Sequence, residues 1–148
     1  SAPEGGFELS FPEIVKFVEN NFRTLSNKKH RAIAGLSMGG FHSCSISKYY
    51  PDMFDYVGLF SGTASKNDKS TCPVYTDFEG KLKTQFAKQP ALYFIACGNR
   101  DFVYKSVTDF RHLLDANGCK YEYLETGEGH IWRNWRIYLT EFAPKLFK

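Results

Sequence analysis

A short apolar run, Arg31-Ala32-Ile33-Ala34-Gly35, passes directly into Leu36-Ser37-Met38-Gly39-Gly40 and then into a helical segment from about Gly39 to Tyr50 that Pro51 closes. Within it, Gly35-Leu36-Ser37-Met38-Gly39 fits G-x-S-x-G, the pattern of a strand-to-helix turn so tight that glycines must remove colliding Cβ atoms. Such a turn commits the chain to a βα unit and lifts a serine hydroxyl above the end of a strand. With Gly and Ser each near ~7% of residues, the pattern alone should arise by chance on the order of 0.05 times in a chain this long. Gly40 adds a second small residue where helix and strand must approach. Glycine-rich turns before helices also serve packing or phosphate binding, so the rest of the chain has to discriminate.

The remaining segments repeat the same alternation. Ser10-Phe11-Pro12-Glu13 reads as a Ser-x-x-Glu capping box opening a first helix, with Ile14, Val18 and Phe22 as its inward stripe. Tyr56 to Phe60 is a short apolar strand, and Ser61 to Pro73 has the composition of a connecting loop. Lys81 to Lys88 forms a short helix ahead of Pro90. Ala91 to Ala96 is the most apolar run and is expected to be a central parallel strand covered on both faces. Val107, Phe110 and Leu114 mark a helical stripe stopped by Asn117-Gly118, and Tyr121 and Tyr123 alternate with charge as in a strand near the sheet edge. A last helix is expected to turn Trp132, Trp135, Leu139 and Phe142 inward and to end near Pro144. Strands alternating with helices imply an α/β fold with a mostly parallel sheet in one domain over residues 1–148.

Composition closes off other classes. The 148 residues are 43% hydrophobic and 24% charged, with a net charge of +3 spread along the chain. That is enough apolar surface for a packed core, and there is no clustered Lys/Arg surface of the kind that tracks phosphates; nucleic acid is not an expected partner. No apolar run approaches the roughly 20 residues needed to cross a bilayer, and no charged start leads into a signal core, so a soluble domain without membrane contact is expected. Cys44, Cys72, Cys97 and Cys119 form no Cys-x-x-Cys pair and have no His at metal spacing. No metal and no cofactor are therefore expected, and small buried thiols are the simpler reading of the cysteines than a disulfide framework.

A serine hydroxyl is a weak nucleophile until a base takes its proton, and the base needs an acid to hold its tautomer. Behind a turn of this kind the chain order is Ser, acid, His. Asp101, in Cys97-Gly98-Asn99-Arg100-Asp101, follows the most apolar strand at the sheet's C-terminal edge, where such sites form; Asp is also a favoured N-cap for the helix that starts near Val103. His130, in Gly127-Glu128-Gly129-His130, stands in a glycine-flanked turn after the Tyr121–Glu125 strand and is the base candidate, a surface turn histidine being the alternative. His30 lies at the wrong end of its strand, His42 inside a helix and His112 on a helix face. Trp132 and Trp135, at helical spacing, read as core, and Tyr104, three residues past the acid, is a candidate substrate contact.

Taken together, these segments resemble the esterase branch of the α/β-hydrolases that includes feruloyl and acetylxylan esterases, tributyrin esterases and enterochelin-type esterases. Arg31 to Gly40 is similar to that family's nucleophile segment almost letter for letter. Cys97 to Asp101 is similar to its acid loop, and Gly129-His130 with Trp132, Trp135 and Phe142-Ala143-Pro144-Lys145-Leu146-Phe147 to its histidine loop and closing helix. The resemblance implies a serine ester hydrolase with Ser37 as nucleophile, Asp101 as acid, His130 as base and the Met38 backbone N–H in the oxyanion hole. It further implies a feruloyl or acetyl ester of plant polysaccharide as substrate and a secreted or periplasmic location. Ile131 departs from the pattern, since a polar residue often follows this histidine in the family.

Family members usually exceed 200 residues, whereas only 34 precede Gly35 here, so the resemblance implies the C-terminal portion of an α/β-hydrolase fold lacking the N-terminal strands. Two expectations follow. The second oxyanion donor, which the family takes from a loop of an earlier strand, is missing, and loss of one such donor costs about 10² to 10³ in turnover. The strand before Ser37 becomes a sheet edge through which two copies are expected to pair as a homodimer. Acyl transfer to a sugar on the same scaffold, and a binding module without a working site, are the competing functions.

Overall fold

The computed structural model describes residues 4–64, 66 and 69–148. Its elements run α1 (Gly6–Asn21), β1 (Ala32–Leu36), α2 (Met38–Tyr49), β2 (Tyr56–Phe60), α3 (Phe78–Ala87), β3 (Leu92–Gly98), α4 (Tyr104–Ala116), β4 (Glu122–Thr126) and α5 (Trp132–Phe142). The strands form one parallel sheet in the order β1-β2-β3-β4. In the loop expected over 61–73, residues 65, 67 and 68 lie outside the described set, and the described ones carry neither helix nor strand.

Side-chain alternation explains the layering. Along β2, Val57 and Leu59 face one side and join Ile33, Tyr93, Ile95, Cys44, Leu82, Val107 and Leu114 in the core beneath α2, α3 and α4. Tyr56 and Phe60 face the other side and meet Phe94, Ala96, Trp135, Tyr138 and Phe142 under α5. Every residue of β2 and β3 is buried, as expected for inner parallel strands. β1 and β4 are the edges; β1 has a single buried residue, Ile33. A Cβ at Gly58 would stand 3.1 Å from the Phe142 ring, so glycine there lets α5 close on the sheet.

Two helices depart from the sequence reading. α1 begins at Gly6, behind Gly5 at φ +70°, and Ser10 is already inside it, its Oγ donating to the Gly6 carbonyl at 2.8 Å instead of capping. The helix gains its earlier turn because Glu8, fully buried, accepts from Tyr75 Oη at 2.9 Å and pairs with His42 Nδ1 at 2.7 Å, partners far away in sequence. Phe11 and Val15 pack on the core, while the expected stripe of Ile14, Val18 and Phe22 is exposed. In α5 the inward set is Trp135, Tyr138 and Phe142 with Asn134, at spacings of three and four; Trp132 and Leu139 point outward.

The four thiols are free, and Cys44, Cys72 and Cys97 are buried. Among the described residues, no group of three or more His, Cys, Asp or Glu side chains is placed to hold a metal ion, and no helix is long and apolar enough to cross a membrane.

Candidate active site

Ser37 joins β1 to α2 with φ 54° and ψ −119°, a conformation that costs a non-glycine residue about 1–3 kcal/mol. Its surroundings leave no easy relaxation. The Ser37 N–H donates to the Phe60 carbonyl at 2.8 Å, extending the ladder past the strand. A Cβ on Gly35 would sit 2.3 Å from the Gly39 carbonyl, and one on Gly62 would sit 2.1 Å from the Ser37 carbonyl. Gly39 itself has open space where a Cβ would be, so the tight positions of this turn are Gly35, Gly40 and the distant Gly62. Met38 opens α2, and the first N–H groups of a helix have no intrahelical acceptor.

Asp101 comes from the turn after β3, its N–H donating to the Gly98 carbonyl at 3.0 Å. The carboxylate is fully buried. One oxygen accepts the Val103 N–H at 3.1 Å at the start of α4, and both oxygens lie 2.9 Å from His130 Nδ1. The N-cap reading does not hold, since Val103 is the residue that caps α4 and no side chain bonds the helix's first N–H groups; the carboxylate instead closes the turn ahead of the helix while holding the imidazole.

His130 reaches the same point from the turn after β4. Its Nε2 is 2.8 Å from Ser37 Oγ. In the tautomer that satisfies both contacts, Nδ1–H donates to Asp101 and Nε2 accepts the serine hydroxyl. The acid and histidine turns are zipped together by Asn99 N–H to the Thr126 carbonyl at 2.9 Å and Arg100 N–H to the Glu128 carbonyl at 3.0 Å. Buried Asn134 secures the histidine turn from below, donating to the Gly127 and Gly129 carbonyls at 3.0 and 2.9 Å. A Cβ on Gly98 would collide with the Glu128 carbonyl at 2.4 Å, so the two turns touch there.

Aromatic rings complete the surroundings of the imidazole. Phe102 lies with its ring centroid 4.5 Å from that of His130, and Trp135 meets it edge-on at 4.9 Å. The Trp135 Nε1–H donates to Ser61 Oγ at 3.1 Å, and Ser61 is a second serine at positive φ, 50°, at the end of a strand. Nearby Cys97 is no rival nucleophile: burial first, then the Asp101 charge, pushes its thiol up to about 12. Burial likewise pushes the Tyr138 phenol up to about 12.

The structure thus brings Ser37, Asp101 and His130 to one rim. The hydroxyl of Tyr104, the candidate substrate contact, donates to Glu125 on β4 at 2.8 Å. His30 pairs with Asn27, His42 with Glu8, and His112 is exposed. Phe102 and Gly62 are not legible in the sequence because their partners are remote; Asn134 bonds carbonyls only five and seven residues away, and the signal available for it is a lone amide on the stripe side of α5.

A model of the family described as "Putative esterase" matches residues 11–146. An "Endo-1,4-beta-xylanase/feruloyl esterase" of Xylanibacter ruminicola is 34% identical over 140 residues, covering 92% of this chain and 17% of the relative. Among solved structures, a ferulic acid esterase superposes with a TM-score of 0.77 at 25% identity over 97% of this chain. A ferulic acid esterase from Anaeromyces mucronatus superposes with a TM-score of 0.78 at 22% identity over 96% of this chain. The parallel sheet with its flanking helices is the α/β-hydrolase fold of these neighbours, of whose chains the present one spans 61% and 53%.

Proposed function

Because the chain belongs to this esterase family, we propose that it carries the nucleophile, base and acid of a serine carboxylic-ester hydrolase. Ser37 Oγ attacks the ester carbonyl carbon as its proton passes to His130 Nε2. The negative charge that develops on the carbonyl oxygen is met by the Met38 N–H at the head of α2, aided by the positive end of the helix dipole. Collapse of the tetrahedral intermediate breaks the bond to the alcohol, whose oxygen takes the proton from His130. Water then attacks the acyl-serine with His130 again as base; collapse breaks the bond to Ser37 Oγ, which takes the proton back from His130 Nε2 as the carboxylic acid leaves. Asp101 stays ionised throughout, holding Nδ1–H and offsetting the imidazolium charge.

The observation that carries this reading is the 2.8 Å contact of His130 Nε2 with Ser37 Oγ on an imidazole gripped by Asp101. Acyl esters of plant polysaccharide, feruloyl or acetyl, are the proposed substrates, supported by the name of the 34% identical relative. A fluorophosphonate probe tests the nucleophile: the chain is expected to be labelled and Ser37→Ala not to be. Equal labelling of both proteins removes Ser37 from the role. Release of ferulate from methyl ferulate, set against acetate from p-nitrophenyl acetate, reads the acyl preference.

A further inference from the structure

We propose that Phe102 is a positioning residue that acts through His130, its ring face favouring the imidazolium over the neutral imidazole. The inference rests on the ester-hydrolase reading, in which that imidazolium forms each time the serine or water gives up a proton.

Phe102 is 78% exposed, the largest exposure among the chain's big apolar side chains. Its place is not accidental to the backbone. It follows Asp101 directly, in a turn held by Asp101 N–H to the Gly98 carbonyl at 3.0 Å and by Val103 N–H to the Asp101 carboxylate at 3.1 Å. From that turn the ring lies against the imidazole, at 4.5 Å between centroids and tilted by 46°. An aromatic face attracts a cation through its quadrupole and does far less for a neutral ring, by an amount equivalent to about half a pH unit at an exposed site. Trp135 contacts the same imidazole but is buried and bonded to Ser61, so it cannot be altered without disturbing the core. Phe102 can be altered cleanly.

The groups bonded to the imidazole are fixed controls: Asp101 comes from the turn after β3 and Ser37 from the head of α2. Glu128, on the histidine's own turn, is ion-paired with Arg133 of α5 at 3.1 Å. None of them changes in the variants below.

The experiment compares Phe102→Ala, Phe102→Leu and Phe102→Tyr with the parent chain by two readouts. The first is the acid limb of kcat/KM for p-nitrophenyl acetate. The second is an NMR titration of the His130 ring, which needs no turnover. The Ala and Leu variants are expected to move both midpoints down by about half a pH unit, and Tyr to restore them. Unchanged midpoints, an upward shift, or a Leu variant matching the parent overturn the proposal, the last by showing that cover and not the ring is what counts. A parent chain inert to the fluorophosphonate defeats the hydrolase reading alone, and the NMR titration then still decides whether Phe102 biases the imidazole.

Discussion

The rim above the sheet and the flank formed by α1 and β1 are built by opposite logic. At the rim each of Ser37, Asp101 and His130 has a partner within 3.1 Å, and the turns that carry them are bonded to one another. Along the flank, Ile14, Phe17, Val18, Phe22 and Leu25 stand exposed beside an edge strand whose outer N–H and C=O groups have no ladder. Polar groups brought together by strand ends satisfy each other locally. An apolar stripe has no such local closure and needs another surface to cover it. The polar contacts of the rim are therefore more self-contained than the apolar flank.

That contrast can be broken most forcefully at the rim. Asp101→Asn, isosteric but unable to hold the imidazole in the right tautomer, is expected to lower ester hydrolysis about 10⁴-fold, measured as kcat on p-nitrophenyl acetate; a loss under tenfold would show that the carboxylate does not serve the base. Asn134→Leu strips the Gly127 and Gly129 carbonyls of their donor and should cost about 1–3 kcal/mol in urea unfolding, with hydrolysis falling alongside. If stability holds, the histidine turn stands without its support.

Lys48, on the helix that links the two regions, gives a pH-shaped effect. It is buried with its ammonium 3.3 Å from the Phe78 ring centroid, and burial pushes its pKa down to about 8. Between there and the ordinary lysine value of 10.5, the unfolded chain binds a proton that the folded chain has released. Stability contributed by this group therefore rises with pH across that window. The difference in unfolding free energy between parent and Lys48→Met should grow in the parent's favour from pH 8 to pH 10; a flat difference would mean that the ammonium keeps its charge when buried.

The smallest effect belongs to the flank. Ile14→Lys with Leu25→Lys is expected to leave stability within about 0.5 kcal/mol, since both side chains already face solvent. The pairing of two copies through β1 that the edge position leads one to expect is checked by sedimentation. A concentration-dependent dimer weakened by the two lysines sharpens the contrast, and a monomer at every concentration ends that expectation.

Legibility in the sequence followed the range of the interactions. β2 coincides with the apolar run Tyr56–Phe60, and the stripe Val107, Phe110, Leu114 is the buried face of α4, because burial on a sheet or helix leaves a periodic trace. The three rim residues were readable because strand-end turns carry them in a fixed order. The start of α1 was not, since Ser10-x-x-Glu13 mimics a cap while the true anchor, Glu8, depends on His42 and Tyr75. The inward face of α5 was half missed for a similar reason: Trp132 looks apolar in sequence yet is 65% exposed, and Tyr138 was passed over although it is buried and bonded to Thr126 at 2.7 Å. Phe102 meets His130 only after two separate turns have folded together.

Asp101 serves two clients with one carboxylate, the Val103 N–H in the turn ahead of α4 and the imidazole across the rim. A substitution that disturbs the turn ahead of α4 therefore also disturbs the grip on His130, and one that alters that grip also disturbs the turn. Glutamate, one methylene longer, would have to choose between them. The local order of the rim and the orientation of the imidazole are tied at this residue.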